Sequence, residues 1–173
     1  MPIRTVASDR APKAIGPYSQ ALLVEQPGLA TLYCAGQIPL DPATGELTKG
    51  DIRAETGRVM HNVEGVLEAA GMTFANVVKT TVFLQDLADF AGMNEVYGQR
   101  FQGSYPARST VQVAALPRGA RVEIEVVAVR ELPVPGELQA AARKAPARRP
   151  ARQARKRTVR ALPAKGKAKG RRA

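Results

Sequence analysis

The chain has 173 residues and a formal net charge of +11, from 26 Lys or Arg against 15 Asp or Glu. The excess sits at one end: residues 138–173 hold 14 of the basic residues and no acid, so 12 basic and all 15 acidic residues fall in 1–137, a balance of −3. The single cysteine, Cys34, excludes an intrachain disulfide and a cysteine-cluster metal site. With no apolar signal core and no run of about 20 apolar residues, the chain is expected to be soluble and cytoplasmic, without membrane contact.

In chain order, Val6 to Ile15 reads as extended or loop, punctuated by Pro12 and then Gly16-Pro17. A strand is predicted over Tyr18–Val24, a turn at Pro27-Gly28, and a hairpin partner over Thr31–Ala35. Pro39 to Gly45 is a loop. Ile52, Val59, Val63, Val66, Leu67 and Ala70 recur at three- and four-residue spacings, one face of a helix, with Gly71 as its C-terminal cap. The β-branched run Val77–Leu84 predicts a buried strand. Asp89 is positioned to cap a second helix with Phe90, Met93, Tyr97 and Phe101 inward. Ser109–Val113 and Arg121–Val129 are the last two strands, joined through Leu116-Pro117-Arg118-Gly119.

The order β-β-α-β-α-β-β predicts an α+β domain, a mixed sheet with two helices packed on one face. The other face then needs cover, which a small domain usually obtains from another subunit. Residues 1–132 suffice for one core. Residues 133–173, rich in Ala, Pro, Lys and Arg and without aromatics, are expected to form a disordered basic tail, with Pro133, Pro135 and Gly136 at the boundary.

The most informative segment is Tyr105-Pro106-Ala107-Arg108-Ser109-Thr110, followed by the strand containing Glu123 and Glu125. Arg108 opens a strand where its side chain is partly buried; it is either half of a structural ion pair or an anchor for a small carboxylate, whose two oxygens match its planar fork. Glu123 and Glu125 share one face of their strand and Val122, Ile124 and Val126 the other, so the carboxylates are either solvated or answered by cations. A carboxylate near such an anchor is able to position or activate a water. Tyr18 follows a tight turn, and Gly36 ends a strand where a missing Cβ would admit a ligand to the backbone, unless it marks only a turn or bulge. His61 has no partner at metal-binding spacing, and Cys34 reads as a small buried hydrophobe. No phosphate-binding glycine motif occurs.

Five blocks in order resemble the reactive intermediate deaminase family (RidA, YjgF): Ile15-Gly16-Pro17-Tyr18, Ala35-Gly36-Gln37-Ile38-Pro39, Val78 to Leu84, Tyr105 to Ser109, and Val122 to Glu125. The resemblance spans nearly all of residues 1–131. It implies a chorismate-mutase-like fold, a homotrimer with ligand sites between subunits, and cofactor-free, metal-free hydrolysis of 2-imino acids such as 2-iminopropanoate and 2-iminobutanoate, or their enamines, to 2-keto acids and ammonia. By position it implies that Arg108 clamps the substrate carboxylate and Glu123 positions the attacking water. Tyr18, the Gly36 backbone, Asn94 and Thr110 would contact substrate. Ala35 stands where many members carry serine, and Thr110 where many carry cysteine.

The tail lies outside the family pattern. Its charge is expected either to bind nucleic acid or polyphosphate without sequence preference, through counterion release, or to serve only as a solubilising or inert extension. Three classes of function therefore remain open on the sequence: an imine deaminase with a basic tail, a trimeric scaffold for nucleic-acid binding, and a ligand-binding member with a vestigial site.

Overall fold

The computed structural model describes residues 1–134. The elements are β1 (Ile3–Val6), β2 (Ala21–Gln26), β3 (Leu29–Gln37), α1 (Ile52–Ala69), β4 (Val77–Leu84), α2 (Phe90–Gly98), β5 (Ala107–Gln112) and β6 (Val122–Glu131), with short 3-10 turns between some of them. The expected order is present, with one further strand at the N-terminal end. β1 escapes sequence reading because it has four residues and buries only Val6, which leaves no alternation to detect. The expectation of a tail over 133–173 falls outside the described residues from 135 onward.

One six-stranded sheet runs β1-β2-β3-β6-β4-β5. Its pairs are antiparallel except β4 with β5, which are parallel and joined through α2, the crossover that a parallel pair requires. The β2–β3 turn is Pro27-Gly28, with Gly28 at φ 79°, the conformation a type II turn asks of its second central residue. Alternate residues of the central strands face the helices: Leu23, Leu32, Val82, Leu84, Val122 and Ile124 are fully buried against Val59, Met60, Val63 and Met93. Each such side chain contributes about 1.5–3 kcal/mol relative to exposure. The opposite face keeps Leu22, Tyr33 and Val111 exposed.

Asp51 caps α1, accepting from the Ala54 N–H at 3.0 Å. The helix ends as expected: the Gly71 N–H donates to Glu68 O (2.8 Å) and Met72 N–H to Leu67 O (2.9 Å), with Gly71 at φ 68° in the left-handed position. The second helix differs from expectation. Asp89 makes no capping hydrogen bond, because its carboxylate is engaged by Arg121, whose Nη2 and Nε donate to it at 2.6 and 3.1 Å. The backbone N–H of Arg121 also donates to Glu55 Oε2 at 3.0 Å, so one residue ties the start of β6 to both helices. Among the described residues no helix is long and apolar enough to cross a membrane.

Candidate active site

Arg108 is the second residue of β5, in register with Thr80 of β4, and its side chain turns to the helix side of the sheet. Its Nη1 donates to Asn94 Oδ1 at 2.7 Å, and its Cζ lies 4.8 Å from the Tyr97 ring centroid and 5.5 Å from that of Phe90. These three partners recur at four and three residues on α2, which places them on one helix face. Tyr97 is itself fixed by a buried 2.8 Å hydroxyl contact with Thr80. Burial pushes the Tyr97 phenol pKa upward, so the ring beneath the guanidinium stays neutral. Among the described residues Arg108 forms no ion pair. Held by an amide oxygen and two rings, it keeps its charge and its remaining N–H donors available to an anion. The cleft in front of it, about 460 Å³, is lined by Asn94, Tyr97, Gly98, Tyr105 and Pro106.

Glu123 is the second residue of β6 and lies on the open face with the more exposed Glu125. Its carboxylate sits against Gly36, at the irregularity where the β3–β6 register shifts between Cys34 and Gln37. A Cβ on Gly36 would collide with the Glu123 carboxylate and come 2.8 Å from its Cδ. The space a Cβ would take at Gly36 is therefore filled by Glu123, while Gly36 itself lines the adjoining pocket. Burial, and then the like charge of Glu125, raise the Glu123 pKa above the ordinary carboxylate range. Glu123 has no cation within ion-pair distance among the described residues. The adjoining pocket, about 330 Å³, is mostly apolar, with Ile15, Ile38, Leu40 and Pro117 beside Tyr18 and Ala35.

The two candidate catalytic side chains do not meet within one chain. Glu123 pairs with Phe83 and Arg108 with Thr80, an odd step along β4, so they occupy opposite faces of the sheet. They are also two strands apart, a Cα separation of roughly 14 Å by standard sheet spacing. Tyr18 and Gly36 gather at Glu123, whereas Asn94 gathers at Arg108 as its hydrogen-bond partner. Thr110 lies on the helix side beyond Arg108, in register with Val82, and lines neither pocket; its Oγ1 is buried with no partner among the described residues.

Residues 8–130 match the family model described as Endoribonuclease L-PSP. Over 126 residues the chain is 57% identical to Protein DfrA of Myxococcus xanthus, covering 73% of this chain and 95% of that protein. It is 49% identical over 127 residues to the 2-iminobutanoate/2-iminopropanoate deaminase of Homo sapiens, covering 73% and 90%. A solved structure of a Rid-family protein from Yersinia pestis superposes with a TM-score of 0.69 at 45% identity, covering 73% of this chain and 98% of that one. The chain belongs to the RidA (YjgF) family.

In this RidA-family chain the lone cysteine is buried. Burial, aided by the charge of Glu125, pushes the Cys34 thiol up to about 12, far from a reactive thiolate. Among the described residues no group of three or more His, Cys, Asp and Glu could hold a metal ion. Sequence reading passed over Phe90 and Tyr97 as site residues, because an aromatic on the inner face of a helix signals core before it signals a platform for a cation. It also passed over Gln20 and Asn62, two buried amides behind the Glu123 pocket. Asn62 carried a signal: it falls on the apolar stripe of Val59, Val63 and Val66, where a polar residue needs a reason. Gln20 carried none: the strand expected over Tyr18–Val24 begins only at Ala21, so Gln20 read as a strand residue and not as a brace for the loop before it.

Proposed function

We propose that this RidA-family chain hydrolyses 2-imino acids to 2-keto acids and ammonia, in sites closed between protomers of a homotrimer. The observation that carries the reading is Arg108: a half-buried guanidinium with neutral partners and, among the described residues, no counter-ion, at the mouth of a cleft. Such a group selects a small carboxylate. The separation of Arg108 and Glu123 onto opposite faces supports a composite site, because the Arg108 of one protomer meets a Glu123 only if a second protomer presents it. A head-to-tail interface repeated around a threefold axis supplies that arrangement three times and covers the exposed Leu22, Tyr33 and Val111. The names of relatives such as the human deaminase point to the same substrate class.

The mechanism follows from these parts. Arg108 holds the substrate carboxylate bidentately and fixes the imine carbon against a water beside Glu123. The water oxygen attacks that carbon, the C=N π pair moves to nitrogen, and the Glu123 carboxylate takes a water proton. With the substrate bound as its iminium, the same proton returns to the amine nitrogen, the C–N bond breaks with its electron pair leaving on ammonia, and the hydroxyl proton passes to the Glu123 carboxylate as the ketone forms, to be carried off by ammonia as ammonium. A carboxyl group with a raised pKa serves this exchange in both directions. Because an iminium carbon is already electrophilic, orientation supplies much of the acceleration.

The test is ammonia release from freshly generated 2-iminopropanoate and 2-iminobutanoate. Arg108→Ala and Glu123→Gln are each expected to lose at least about 100-fold in kcat/KM. Reassembling the two inactive variants from an equimolar mixture should restore about a quarter of all sites, one in each mixed trimer, if each site draws on two protomers. No acceleration by the wild type defeats the reading, and failure of complementation defeats its shared-site element.

We also propose that residues 138–173 bind polyanions without sequence preference, a reading supported by their 14 basic residues and lack of acids. It is compatible with the deaminase reading, since the two depend on different residues.

A further inference from the structure

The wall of the Glu123 pocket is built from loops, and loops do not hold their shape without hydrogen bonds to satisfy them. Residues 7–20, which carry Pro12, Lys13, Ile15 and Tyr18 into that wall, contain neither helix nor strand. Residues 38 and 40 follow β3 and carry Ile38 and Leu40 into it. Behind these segments lie two side-chain amides that the proposed chemistry does not use. Gln20 is only 5% exposed and Asn62 is fully buried.

Gln20 stands just before β2 and folds back over the loop. Its Oε1 accepts from the Ser8 N–H at 2.6 Å, while Nε2 approaches the carbonyls of Pro12 (2.7 Å), Ala11 (3.1 Å) and Ser8 (3.1 Å). Its own backbone carbonyl accepts from Ala35 N–H at 2.9 Å. Asn62, on the core face of α1, donates through Nδ2 to Leu40 O at 2.9 Å and to Ile38 O at 3.1 Å. Three of the pocket's own lining residues, Pro12, Ile38 and Leu40, are thus held through their carbonyls by these two side-chain amides, and a fourth, Ala35, by the Gln20 main chain.

We propose that Gln20 and Asn62 are positioning residues, which set the wall of the Glu123 pocket and with it the placement of Tyr18 and of the substrate. The choice of amides has a chemical reason. Each must donate to carbonyl oxygens, which a carboxylate cannot do, and neither titrates, so the wall keeps its shape while Glu123 changes charge. A core helix position filled by Asn in place of Leu is costly in apolar burial, and its bonds run to the pocket wall rather than within the helix. The inference rests on the reading of this pocket as the water-positioning half of a deaminase site.

The experiment compares the full-length wild type with Gln20→Met and Asn62→Leu, which keep side-chain bulk and remove the hydrogen bonds. Activity is measured at a temperature where circular dichroism and sedimentation show each variant folded and assembled as the wild type. We expect kcat/KM to fall at least about 10-fold in each, since misplacement of about 1 Å is sufficient for such losses. In Gln20→Met, amide hydrogen exchange over residues 8–18 should accelerate at least about 10-fold while α1 keeps its protection, the mark of local opening. Lowered thermal stability with kcat/KM within twofold of wild type in the folded variants overturns the proposal, as does unchanged exchange over 8–18. Should one variant fail to fold, the other decides. If the wild type releases no ammonia, the functional reading has failed, and the exchange measurement alone upholds or overturns the positioning role.

Discussion

Glu123 concentrates the residue-scale physics of this site. Its carboxyl pKa is raised first by burial and then by the neighbouring charge of Glu125, from an ordinary value of 4.5. As a base it must be ionised, so kcat/KM should fall on acidification with a midpoint above 4.5. Glu125→Gln removes the like charge and leaves the burial, so a pH–rate profile of that variant should show the midpoint displaced downward but still raised. The linkage has a definite sign: a folded-state pKa above the unfolded one means the fold favours the neutral form. The associated stability is complete below the unfolded pKa and is lost as pH rises through the folded one. Glu123→Gln, neutral at every pH, should therefore melt no lower than wild type at pH 8, by calorimetry, while losing turnover. That combination separates a functional carboxylate from a structural one, whose loss would lower the melting temperature. Gly36 belongs to the same account, because it is the absence of its Cβ that lets this carboxylate lie against β3.

At the scale of elements, the placement of Arg108 depends on α2. The helix supplies Asn94 and the two rings, and the Asp89–Arg121 pair anchors its start to β6. Tyr97→Phe keeps the ring and removes the hydroxyl contact with Thr80, whereas Tyr97→Leu removes the platform. With a cation–π contact worth about 0.5–2 kcal/mol, Tyr97→Leu should weaken 2-ketobutyrate binding by about 2- to 30-fold in calorimetric titration, and Tyr97→Phe should restore most of it. Equal losses in the two variants would assign the effect to the hydroxyl instead. The elements themselves were largely legible in the sequence. The stripe of α1 and the alternation of β6 are strong periodic signals, and both helix-facing and open residues of β6 fall where the pattern put them. Asp89 misled because an acidic residue before an apolar helix reads as a cap, and nothing in its neighbourhood announces a partner 32 residues away. The face on which Arg108 lies was not legible either. Ala107–Gln112 is a short, polar edge strand without apolar alternation, so only its register with β4 reveals that Arg108 and Glu123 point apart.

For the whole molecule, the division of charge governs behaviour more than the total does. A chain of +11 would be expected to bind polyanions through its entire surface, but residues 1–137 carry −3 and 138–173 carry +14. Polyanion binding should therefore depend wholly on the second segment. With no aromatic residues in that segment to stack on bases, it should have the salt dependence of counterion release and no base preference. The proposed trimer would add a second factor, because three basic segments on one particle would engage the same polyanion with an avidity that none has alone. Titration of labelled duplex DNA, single-stranded DNA and polyphosphate with the full chain should give affinities that fall steeply with salt and differ little between sequences of equal length. Deleting residues 138–173 should abolish binding and leave ammonia release within about twofold of wild type, whereas Arg108→Ala should do the reverse. Binding that survives high salt, or that persists in the truncated chain, would instead locate the nucleic-acid contact on the folded domain. That result would overturn the separation of the two roles along the chain.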